Sequence, residues 1–522
     1  MTKRFNITGT CFPQWHYMVD LSGRVAEIKK MVDECQYFCI NRGRQYGKTT
    51  TLNALKKALE ADYEVYFISF EGLGTASYES DSHLAYAIMG QFEMAELERG
   101  FNVSQPVREI VDQTISKYEQ EGQIQPNMFS KILSKMCIAA QRPLVLIIDE
   151  VDQAGNYDSF VRILGLWRNM YLKRERLATF QSVILAGVYD IKNLKLKIRP
   201  EAEHQYNSPW NIAANFDIEM AFNVSDVEGM LNEYENDHHT GMDIHNIAKL
   251  LIDYTSGYPF LVSKICKSID EKDLTWTHEG IVNAVKALLY ERNTLFDDMN
   301  KKLDDFPNLR DMLKNILFYG ESYPYGVADK SVELAAMFSF IKNDSHRIKI
   351  SNRIFETYLY NAFSFEDETK TEMVQEGTTD KNQFIENGIL NIEKIIRRFI
   401  VHFNDIYGDR DEKFRESEGR KYFMFYIKPI INGVGNYYIE SETRDRLRTD
   451  MIIDFLGKQY IIEMKIWRGE SYNTRGEEQL LAYLDYYHLD KGYLVSFCFN
   501  KNKQPGVKTI QIGDKEIVEG VV

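Results

Sequence analysis

The sequence predicts a multidomain α/β protein with a parallel sheet near the amino end, a helical middle region and a second α/β domain at the carboxyl end. Its 522 residues exceed one domain, since roughly 150 residues per domain is the usual prior. In the first 225 residues, apolar strand-like runs alternate with helical segments, which is typical of a parallel sheet covered on both faces. Strand-like runs return after residue 383 and predict the second sheet.

The first domain is predicted to span residues 1–225. The pattern of residues 35–70 is typical of a strand, a turn, a helix and a second strand in that order, which predicts a βαβ unit. A third strand is predicted in RPLVLIIDE and a fourth in TFQSVILAGV. These four strands would form one buried sheet.

The middle of the chain is predicted to be mainly helical. Residues 226–300 carry apolar positions at helical spacing and predict a helical lid subdomain. Residues 301–364 mix helices with the strand-like HRIKIS, a pattern that permits a small winged-helix module. The polar, charge-rich segment 365–383 predicts a linker, and residues 384–522 form the last domain.

The composition indicates a folded protein and narrows its partners. Hydrophobic residues make up 44% and charged residues 27%, which excludes wholesale disorder. The net charge of −14 excludes a global positive field, so any nucleic-acid contact must be local. Apolar runs fall far short of the roughly 20 residues that cross a bilayer. Because no secretory signal pattern follows the basic start, we expect a cytoplasmic protein with no membrane contact and reduced cysteines.

The first candidate site is the turn GRQYGKT between a predicted strand and a predicted helix, a context that binds phosphate. Gly47 would allow close approach of the backbone, Lys48 would reach the β- and γ-phosphates, and Thr49 would bind Mg²⁺. Arg42 stands where the pattern G-x-x-x-x-G-K-[ST] has glycine, so the motif is a variant. An ordinary turn with a solvated lysine is the alternative. The predicted nucleotide contacts are Gly43, Gln45, Gly47, Lys48, Thr49 and Thr50.

Two acids end the third predicted strand, about 100 residues after the turn. Buried acids are costly unless they serve a cation or a water molecule. Asp149 is suited to complete the Mg²⁺ shell, and Glu150 is suited to orient or deprotonate the attacking water. An acidic helix cap is the alternative, but it explains one acid better than the pair.

These motifs resemble a known family. RQYGKTT, LIIDEVD, ILAGVYDIKNL, SPWNIA and SGYPFLV are similar to segments of the bacterial AAA-like ATPases that carry carboxyl-terminal PD-(D/E)XK nuclease-like domains. The resemblance runs nearly end to end. It implies a P-loop NTPase sheet of the additional-strand class that binds ATP and Mg²⁺. The γ-phosphate sensor and arginine finger stay open among Arg168, Arg174, Arg176 and Arg199.

The second candidate site lies in RTDMIIDFLGKQYIIEMKIWRG, whose pattern predicts a β-hairpin. Glu463 and Lys465 are two apart, so they share one face of the second strand. Asp450 opens the first strand, near enough to share a metal ion with Glu463. Two carboxylates and a lysine can bind Mg²⁺ or Mn²⁺, position water and stabilise a cleaved phosphodiester. A solvated strand face is the alternative.

The segments EMKIWRG and QLLAYL resemble the PD-(D/E)XK nuclease-like domain of the same family, which is an α/β/α domain. In that family a Q-x-x-x-Y pair lies beside the catalytic site, which implies this role for Gln479 and Tyr483. The family also carries a glutamate on the first helix of the domain. Glu418 is the best match here, with Glu416 close behind.

Basic residues around the second site allow a local positive rim for DNA, whose binding normally needs a basic surface. Interspersed acids at Glu440, Glu442 and Asp445 allow a mixed, solvated surface instead, and both interpretations stay open. The rim would consist of Arg444, Arg446, Arg448, Lys465, Arg468 and Arg475.

The leading hypothesis is a cytoplasmic bacterial ATPase whose nucleotide state controls a carboxyl-terminal metal-dependent nuclease acting on DNA, in defence or mobile-element conflict. The alternative is a non-cutting nucleotide switch whose nuclease-like fold binds a partner protein or nucleic acid. Homo-oligomer formation stays open. The predicted catalytic residues are Glu150, Asp450, Glu463, Lys465 and Gln479, and the predicted metal ligands are Thr49, Asp149, Asp450 and Glu463.

Overall fold

The chain forms two compact units, Met1–Ala221 with Met337–Ser339, and Phe222–Ala336 with Phe340–Val522. The computed structural model describes residues 3–188, 210–319, 323–326, 329–344, 346–368, 372–380, 383–386, 389–407, 416–431, 435–442, 448–456, 458–466, 470–498 and 504–522. In that part of the chain, no helix is both long and apolar enough to cross a membrane.

The first unit is built on a parallel sheet with helices packed against it. Its strands are β1 (Phe38–Asn41), β2 (Glu64–Ser69), β3 (Leu144–Asp149) and β4 (Ser182–Gly187). Its helices are α1 (Ser22–Asp33), α2 (Lys48–Leu59), α3 (Asp81–Ala95), α4 (Gln105–Tyr118), α5 (Pro126–Ala139) and α6 (Asp158–Leu172). The predicted α/β fold with a parallel sheet is confirmed, and all four predicted strands are present.

The strand order in this sheet is β1-β4-β3-β2, and every neighbouring pair is parallel. β4 therefore lies between the strands that carry the two sequence motifs. Every residue of β3 and β4 is buried, because helices cover both faces, and this burial explains why their sequences are continuous apolar runs. All four carboxyl ends lie at one edge, where ligands of such sheets bind.

The chain after Ala221 continues with a run of helices, as its helical spacing predicts. They are α7 (Val224–His238), α8 (Ile244–Thr255), α9 (Pro259–Glu271), α10 (His278–Tyr290), α11 (Thr294–Asp305), α12 (Pro307–Tyr319), α13 (Lys330–Met337), α14 (Arg353–Glu368) and α15 (Glu372–Asp380). Two short strands, β5 (Ile341–Asp344) and β6 (Arg347–Ile350), form an antiparallel pair at the predicted HRIKIS strand. The lid and winged-helix assignments stay predictions.

Segment 365–383 differs from the linker that its polar sequence predicts, since α14 runs into it and α15 lies within it. Asp380, at the end of α15, is buried and accepts a hydrogen bond from the Tyr426 hydroxyl at 2.7 Å. Nε2 of His402 lies 2.8 Å from the same carboxylate oxygen. Met373 and Asp380 of this segment are both buried, and a buried acid is a position that apolar periodicity does not mark.

The carboxyl-terminal part is a second sheet with helices on both faces. Its strands run in the order β13-β14-β12-β11-β10-β9. They are β9 (Gly435–Glu442), β10 (Arg448–Phe455), β11 (Lys458–Ile466), β12 (Lys491–Phe497), β13 (Gly506–Ile512) and β14 (Lys515–Val521). The remaining elements are the short pair β7 (Ile385–Glu386) and β8 (Ile389–Leu390), with α16 (Ile392–Tyr407), α17 (Glu416–Ile431) and α18 (Glu470–Tyr486).

β10 and β11 form the antiparallel hairpin that the sequence predicts, with Met451 opposite Ile462. β11, β12 and β14 are mutually parallel, which brings three carboxyl ends together. α18 packs on the face that carries Lys465 and Leu494, and α16 packs on the opposite face at Gly520.

Candidate nucleotide site and carboxyl-terminal carboxylates

The loop of residues 42–47 connects β1 to α2 at the carboxyl edge of the first sheet. Gln45 and Gly47 have positive φ angles of 57° and 78°, and Gly47 is the residue that caps α2. The first N–H groups of a helix have no partner within the helix and carry its positive dipole end. A loop that returns into a helix amino terminus in this way is suited to hold phosphate.

Arg42 departs from the phosphate-loop pattern without straining the loop. Its guanidinium donates to the carbonyl oxygens of Asn41 at 2.9 Å and Ile218 at 3.0 Å, and it lies 5.4 Å from the Phe216 ring centre. Arg42 is not among the residues with positive φ, so glycine is not required at this position. The side chain is held against segment 216–218.

Lys48 is 7% exposed and spans the loop. Its Nζ atom donates to the carbonyl oxygens of Arg42 and Gly43, each at 3.0 Å. Burial lowers the pKa of Lys48, because the charged form loses water, and the opposite charges of Asp152, Glu150 and Asp149 offset this loss only in part. An anion bound in the loop would add further opposite charge and favour the protonated form.

Thr49 and Asp149 meet across 100 residues of sequence. The Thr49 hydroxyl donates to Oδ2 of Asp149 at 2.7 Å, and Oδ1 of Asp149 accepts the N–H of Glu150 at 2.9 Å. The carboxylate is buried at the end of β3. A hydroxyl oxygen beside a carboxylate oxygen at a phosphate loop is the donor set that Mg²⁺ takes together with phosphates and waters. The residues present therefore fit the ion.

Glu150 has a φ of 52°, in the left-handed region that a non-glycine residue rarely adopts. Such outliers concentrate at functional sites, where the surrounding structure maintains them. Burial raises the pKa of Glu150, and the neighbouring Asp149 raises it further. A glutamate with a raised pKa is suited to take a proton from water near neutral pH.

Asp152 is a site residue that the sequence reasoning missed. Its Oδ2 atom accepts the N–H of Val188 at 2.6 Å, so it joins the turn after β3 to the end of β4. A Cβ placed on Gly187 would lie 2.8 Å from Oδ1 of Asp152. The sequence signal for Asp152 was its place as the third acid of LIIDEVD. Only the strand order shows that its partner lies at the end of β4.

The sequence analysis also missed the contact of the amino-terminal segment with the helix after the phosphate loop. The Thr50 hydroxyl accepts the N–H of Cys11 at 3.1 Å, so this side chain contacts the amino-terminal segment. The role of Thr50 as a nucleotide contact stays a prediction. Among the arginines considered for a sensor, Arg174 lies 4.1 Å from the ring centre of Tyr171, and Arg199 lies outside the described residues.

In the carboxyl-terminal sheet, Glu463 and Lys465 share one face of β11, as predicted. Glu463 is fully buried, and its Oε1 atom lies 2.8 Å from Nζ of Lys465. The register places Lys465 beside Ser496 on β12. A buried carboxylate with an adjacent ammonium is costly to desolvate, so this pair is unlike a solvated strand face.

A further buried acid, Glu519 on β14, lies on the same face and was not predicted. Its Oε1 atom accepts the Ser496 hydroxyl at 2.9 Å, and its Oε2 atom lies 2.7 Å from Nζ of Lys508. Leu494 separates Glu463 from Glu519 in the strand register. Polar side chains thus cross three neighbouring strands beneath α18.

Gln479 is half-buried on α18, and Tyr483, four residues on, is fully buried on the same helix. Asp450 lies in β10 and both Glu416 and Glu418 lie in α17, but their side chains are outside the described residues. Of the predicted basic rim, Arg448 lies in β10 and Arg475 in α18 with side chains outside the described part, and Arg444, Arg446 and Arg468 lie outside it altogether. Within the described part, no group of three or more His, Cys, Asp or Glu side chains could hold a metal ion.

A candidate phosphate loop after β1, an acid pair at the end of β3 and a strand, β4, inserted between β1 and β3 are the arrangement of a P-loop ATPase of the additional-strand class. A model of the AAA-like domain matches residues 24–361. The chain belongs to this family and is an AAA-type ATPase.

Several solved structures are similar to this chain at low identity. A Walker-type ATPase of Pyrococcus abyssi is 12% identical, with a TM-score of 0.47, over 68% of this chain and 99% of that chain. A RuvB mutant of Thermotoga maritima is 10% identical, with a TM-score of 0.32, over 66% and 95% of the chains. The ORC1 protein of Aeropyrum pernix, solved in complex with DNA, is 9% identical, with a TM-score of 0.29, over 67% and 94%. No curated protein matches the chain.

Proposed function

We propose that the nucleotide state of this AAA-type ATPase controls a metal-dependent nuclease site in the carboxyl-terminal sheet, and that the site acts on DNA in defence or mobile-element conflict. The buried ion pair of Glu463 and Lys465 is the observation that carries the nuclease half. The contact between Thr49 and Asp149 carries the nucleotide half.

In the nucleotide half, Lys48 would exchange its two carbonyl acceptors for phosphate oxygens. Thr49 and Asp149 would hold Mg²⁺, which neutralises charge on the phosphates when bound. Glu150 would orient water and accept its proton, because its carboxylate extends from the turn after β3. Asp152 would connect this turn to β4, so a change at the phosphates could reach the rest of the sheet.

In the nuclease half, the antiparallel register of β10 and β11 ends at Met451 opposite Ile462. If this register continued by one residue pair, Asp450 would lie opposite Glu463 on the same face of the sheet. Two carboxylates placed in this way could share a metal ion. Lys465 would stabilise charge on the cleaved phosphate, as an ammonium does for an oxyanion. Gln479 would act from α18, which packs on this face.

Two variants of the full chain test the halves separately. Lys48→Ala is expected to abolish ATP binding, and Glu463→Ala is expected to spare ATP hydrolysis while it removes DNA cleavage. Glu516→Ala is the matched control, because Glu516 is a half-buried acid of the same sheet whose Oε1 atom lies 2.6 Å from Nζ of Lys491. Plasmid, single-stranded DNA and RNA would each be incubated with and without ATP and divalent metal.

Cleavage that survives in Glu463→Ala would reject the nuclease site. Cleavage by Lys48→Ala at the wild-type rate would reject nucleotide control while leaving the nuclease site in place. Normal ATP turnover by Lys48→Ala would reject the nucleotide site.

The second candidate is a non-cutting switch in which the sheet binds a partner protein or nucleic acid. A buried contact favours it, since the Tyr254 hydroxyl of α8 donates to Oδ2 of Asp454 on β10 at 2.5 Å. This hydrogen bond connects the helical region directly to the sheet. It would transmit a movement of the helices to the sheet without any cleavage reaction. Binding of Mn²⁺ that depends on Glu463 would reject the switch in favour of the nuclease, whereas DNA binding without metal or cleavage would support the switch.

A further inference from the structure

Arg42, the residue at which the phosphate loop departs from its sequence pattern, binds a segment outside the loop. Its guanidinium donates to the carbonyl oxygen of Ile218 at 3.0 Å and lies 5.4 Å from the ring centre of Phe216. The Phe216 ring also stacks on Phe38 of β1, with ring centres 6.0 Å apart and planes inclined by 10°. A guanidinium that combines a hydrogen bond with a contact to an aromatic ring is held more specifically than a point charge would be. The side chain therefore joins the loop to segment 216–221.

Segment 216–221 is the part of the chain that leads out of the first unit, which ends at Ala221. Arg24 of α1 donates to the carbonyl oxygens of Glu219 at 2.9 Å and Ala221 at 3.3 Å. The carboxylate of Glu219 accepts the N–H groups of Met220 and Ala221, each at 2.8 Å. Two arginines, one from α1 and one from the phosphate loop, thus hold the carbonyl groups of the residues that precede the second unit.

The main chain of Arg42 is joined to the phosphate-binding lysine. Nζ of Lys48 donates to the carbonyl oxygens of Arg42 and Gly43, each at 3.0 Å. Phosphate oxygens are charged acceptors, and an ammonium forms shorter and stronger bonds with them than with neutral carbonyls. Bound phosphates would therefore draw Lys48 away from the Arg42 carbonyl. One residue thus contacts the lysine through its main chain and segment 216–221 through its side chain.

Tyr46 places a second loop residue near the same segment. Burial raises the pKa of Tyr46 to about 12, and the negative charge of Glu219 contributes to the rise, whereas nearby arginines oppose it. These charges act on the hydroxyl because the loop and the segment lie close together.

We propose that Arg42 is a positioning residue that couples occupancy of the phosphate loop to segment 216–221, so that bound nucleotide loosens the hold on the chain that leads into the second unit. The inference rests on the proposed function and names a route by which the nucleotide state leaves the first unit. When Lys48 turns to the phosphates, the Arg42 peptide loses its hydrogen bond, shifts, and withdraws the guanidinium from Ile218. A glycine here, as in the phosphate-loop pattern, would still permit phosphate binding but has no side chain to reach the segment. A purely structural brace would instead hold the segment equally with and without nucleotide.

The test measures amide hydrogen exchange by mass spectrometry across segment 216–221 of the full chain, with and without ATP and Mg²⁺. In the wild type, ATP is expected to accelerate exchange of this segment roughly 10- to 150-fold, the factor that corresponds to loss of one hydrogen bond with a charged group. Arg42→Gly is expected to exchange at the fast rate in both conditions, while calorimetry shows that it still binds ATP. Arg42→Lys, which keeps the charge but lacks the planar guanidinium, should lose most of the ATP response as well.

Arg142→Gly is the matched control for these variants. Arg142 precedes β3 at the amino edge of the same sheet, and its guanidinium likewise donates to main-chain carbonyl oxygens, those of Glu60 and Ala61. This variant should keep the wild-type exchange rate and ATP response in segment 216–221.

An ATP response of wild-type size in Arg42→Gly would overturn the coupling, and so would loss of ATP binding by this variant, which would assign Arg42 to the nucleotide site itself. If Arg42→Gly does not fold, Arg42→Lys decides by the same criteria. Equal exchange with and without ATP in the wild type, when calorimetry shows ATP bound, would overturn the coupling and leave the proposed nucleotide site in place. If calorimetry showed that the wild type binds no ATP, the nucleotide site would be rejected, and the coupling with it.

Discussion

The substitution Gly187→Ala tests whether Asp152 holds the turn after β3 against β4. The new Cβ would lie 2.8 Å from Oδ1 of Asp152 and 3.0 Å from Cγ2 of Val151, so the acid must move. Overpacking of this kind costs about 1–3 kcal/mol. Displacement of Asp152 also breaks its bond to the Val188 N–H, and a bond to a charged group contributes about 1.5–3 kcal/mol. Because one movement causes both losses, they overlap.

We therefore expect Gly187→Ala to lower the free energy of unfolding by about 2–3 kcal/mol, within the range of each separate cost. The assay is urea unfolding followed by tryptophan fluorescence, since Trp167 and Trp210 lie in the core of the first unit. ATP turnover is expected to fall as well, because Asp152 is near enough to Lys48 and Glu150 to influence the pKa of each.

Gly90→Ala is the matched control for this experiment. Gly90 lies within α3, and a Cβ placed there would meet no heavy atom within 4 Å. The same chemical change should then stabilise the protein by about 1 kcal/mol, because alanine favours a helix over glycine. Wild-type stability and wild-type turnover in Gly187→Ala would refute the assigned role of Asp152.

Three further outcomes are expected. Glu150→Gln should retain ATP binding and lower phosphate release about 10²- to 10⁴-fold, and because burial raises the pKa of Glu150, wild-type activity should fall with decreasing pH above the ordinary glutamate range. Thr49→Val should weaken ATP binding in Mg²⁺ but not in EDTA, since the hydroxyl beside Asp149 is lost; equal loss in both would argue against the ion site. Asp380→Asn should destabilise the second unit by about 1–3 kcal/mol in chemical denaturation, because the Tyr426 hydroxyl loses its charged acceptor.

The last of these effects has a defined pH dependence. Burial raises the pKa of Asp380, but hydrogen bonds from Tyr426 and His402 outweigh burial and hold the pKa below its ordinary value. The stabilisation is therefore present above the pKa of an unfolded aspartate, about 3.9, and is lost as the pH falls through the folded-state pKa. Wild-type and Asp380→Asn stabilities should converge at low pH.

The elements around the candidate nucleotide site could be predicted from local sequence pattern. The apolar runs of β1 and β3 showed where the strands are, because a strand buried on both faces needs apolar residues throughout. Parallel strands end at one edge, so Thr49 and Asp149 could be expected to meet, and they do. The hairpin of β10 and β11 could be predicted for a similar reason, because its turn and its alternation of side chains between the two sheet faces are local features of the sequence.

The sequence by itself therefore indicated the four strands of the first sheet, the strand–turn–helix order around residues 42–49 and the shared face of Glu463 and Lys465 on β11. The tertiary structure decided which strands are neighbours, and with them the contact of Asp152 with β4, the contact of Thr50 with Cys11 and the helix that buries Asp380. Periodicity records which face of a segment is apolar. It does not record which distant polar group will satisfy a buried carboxylate or hydroxyl, because that partner is set by packing between segments far apart in the chain.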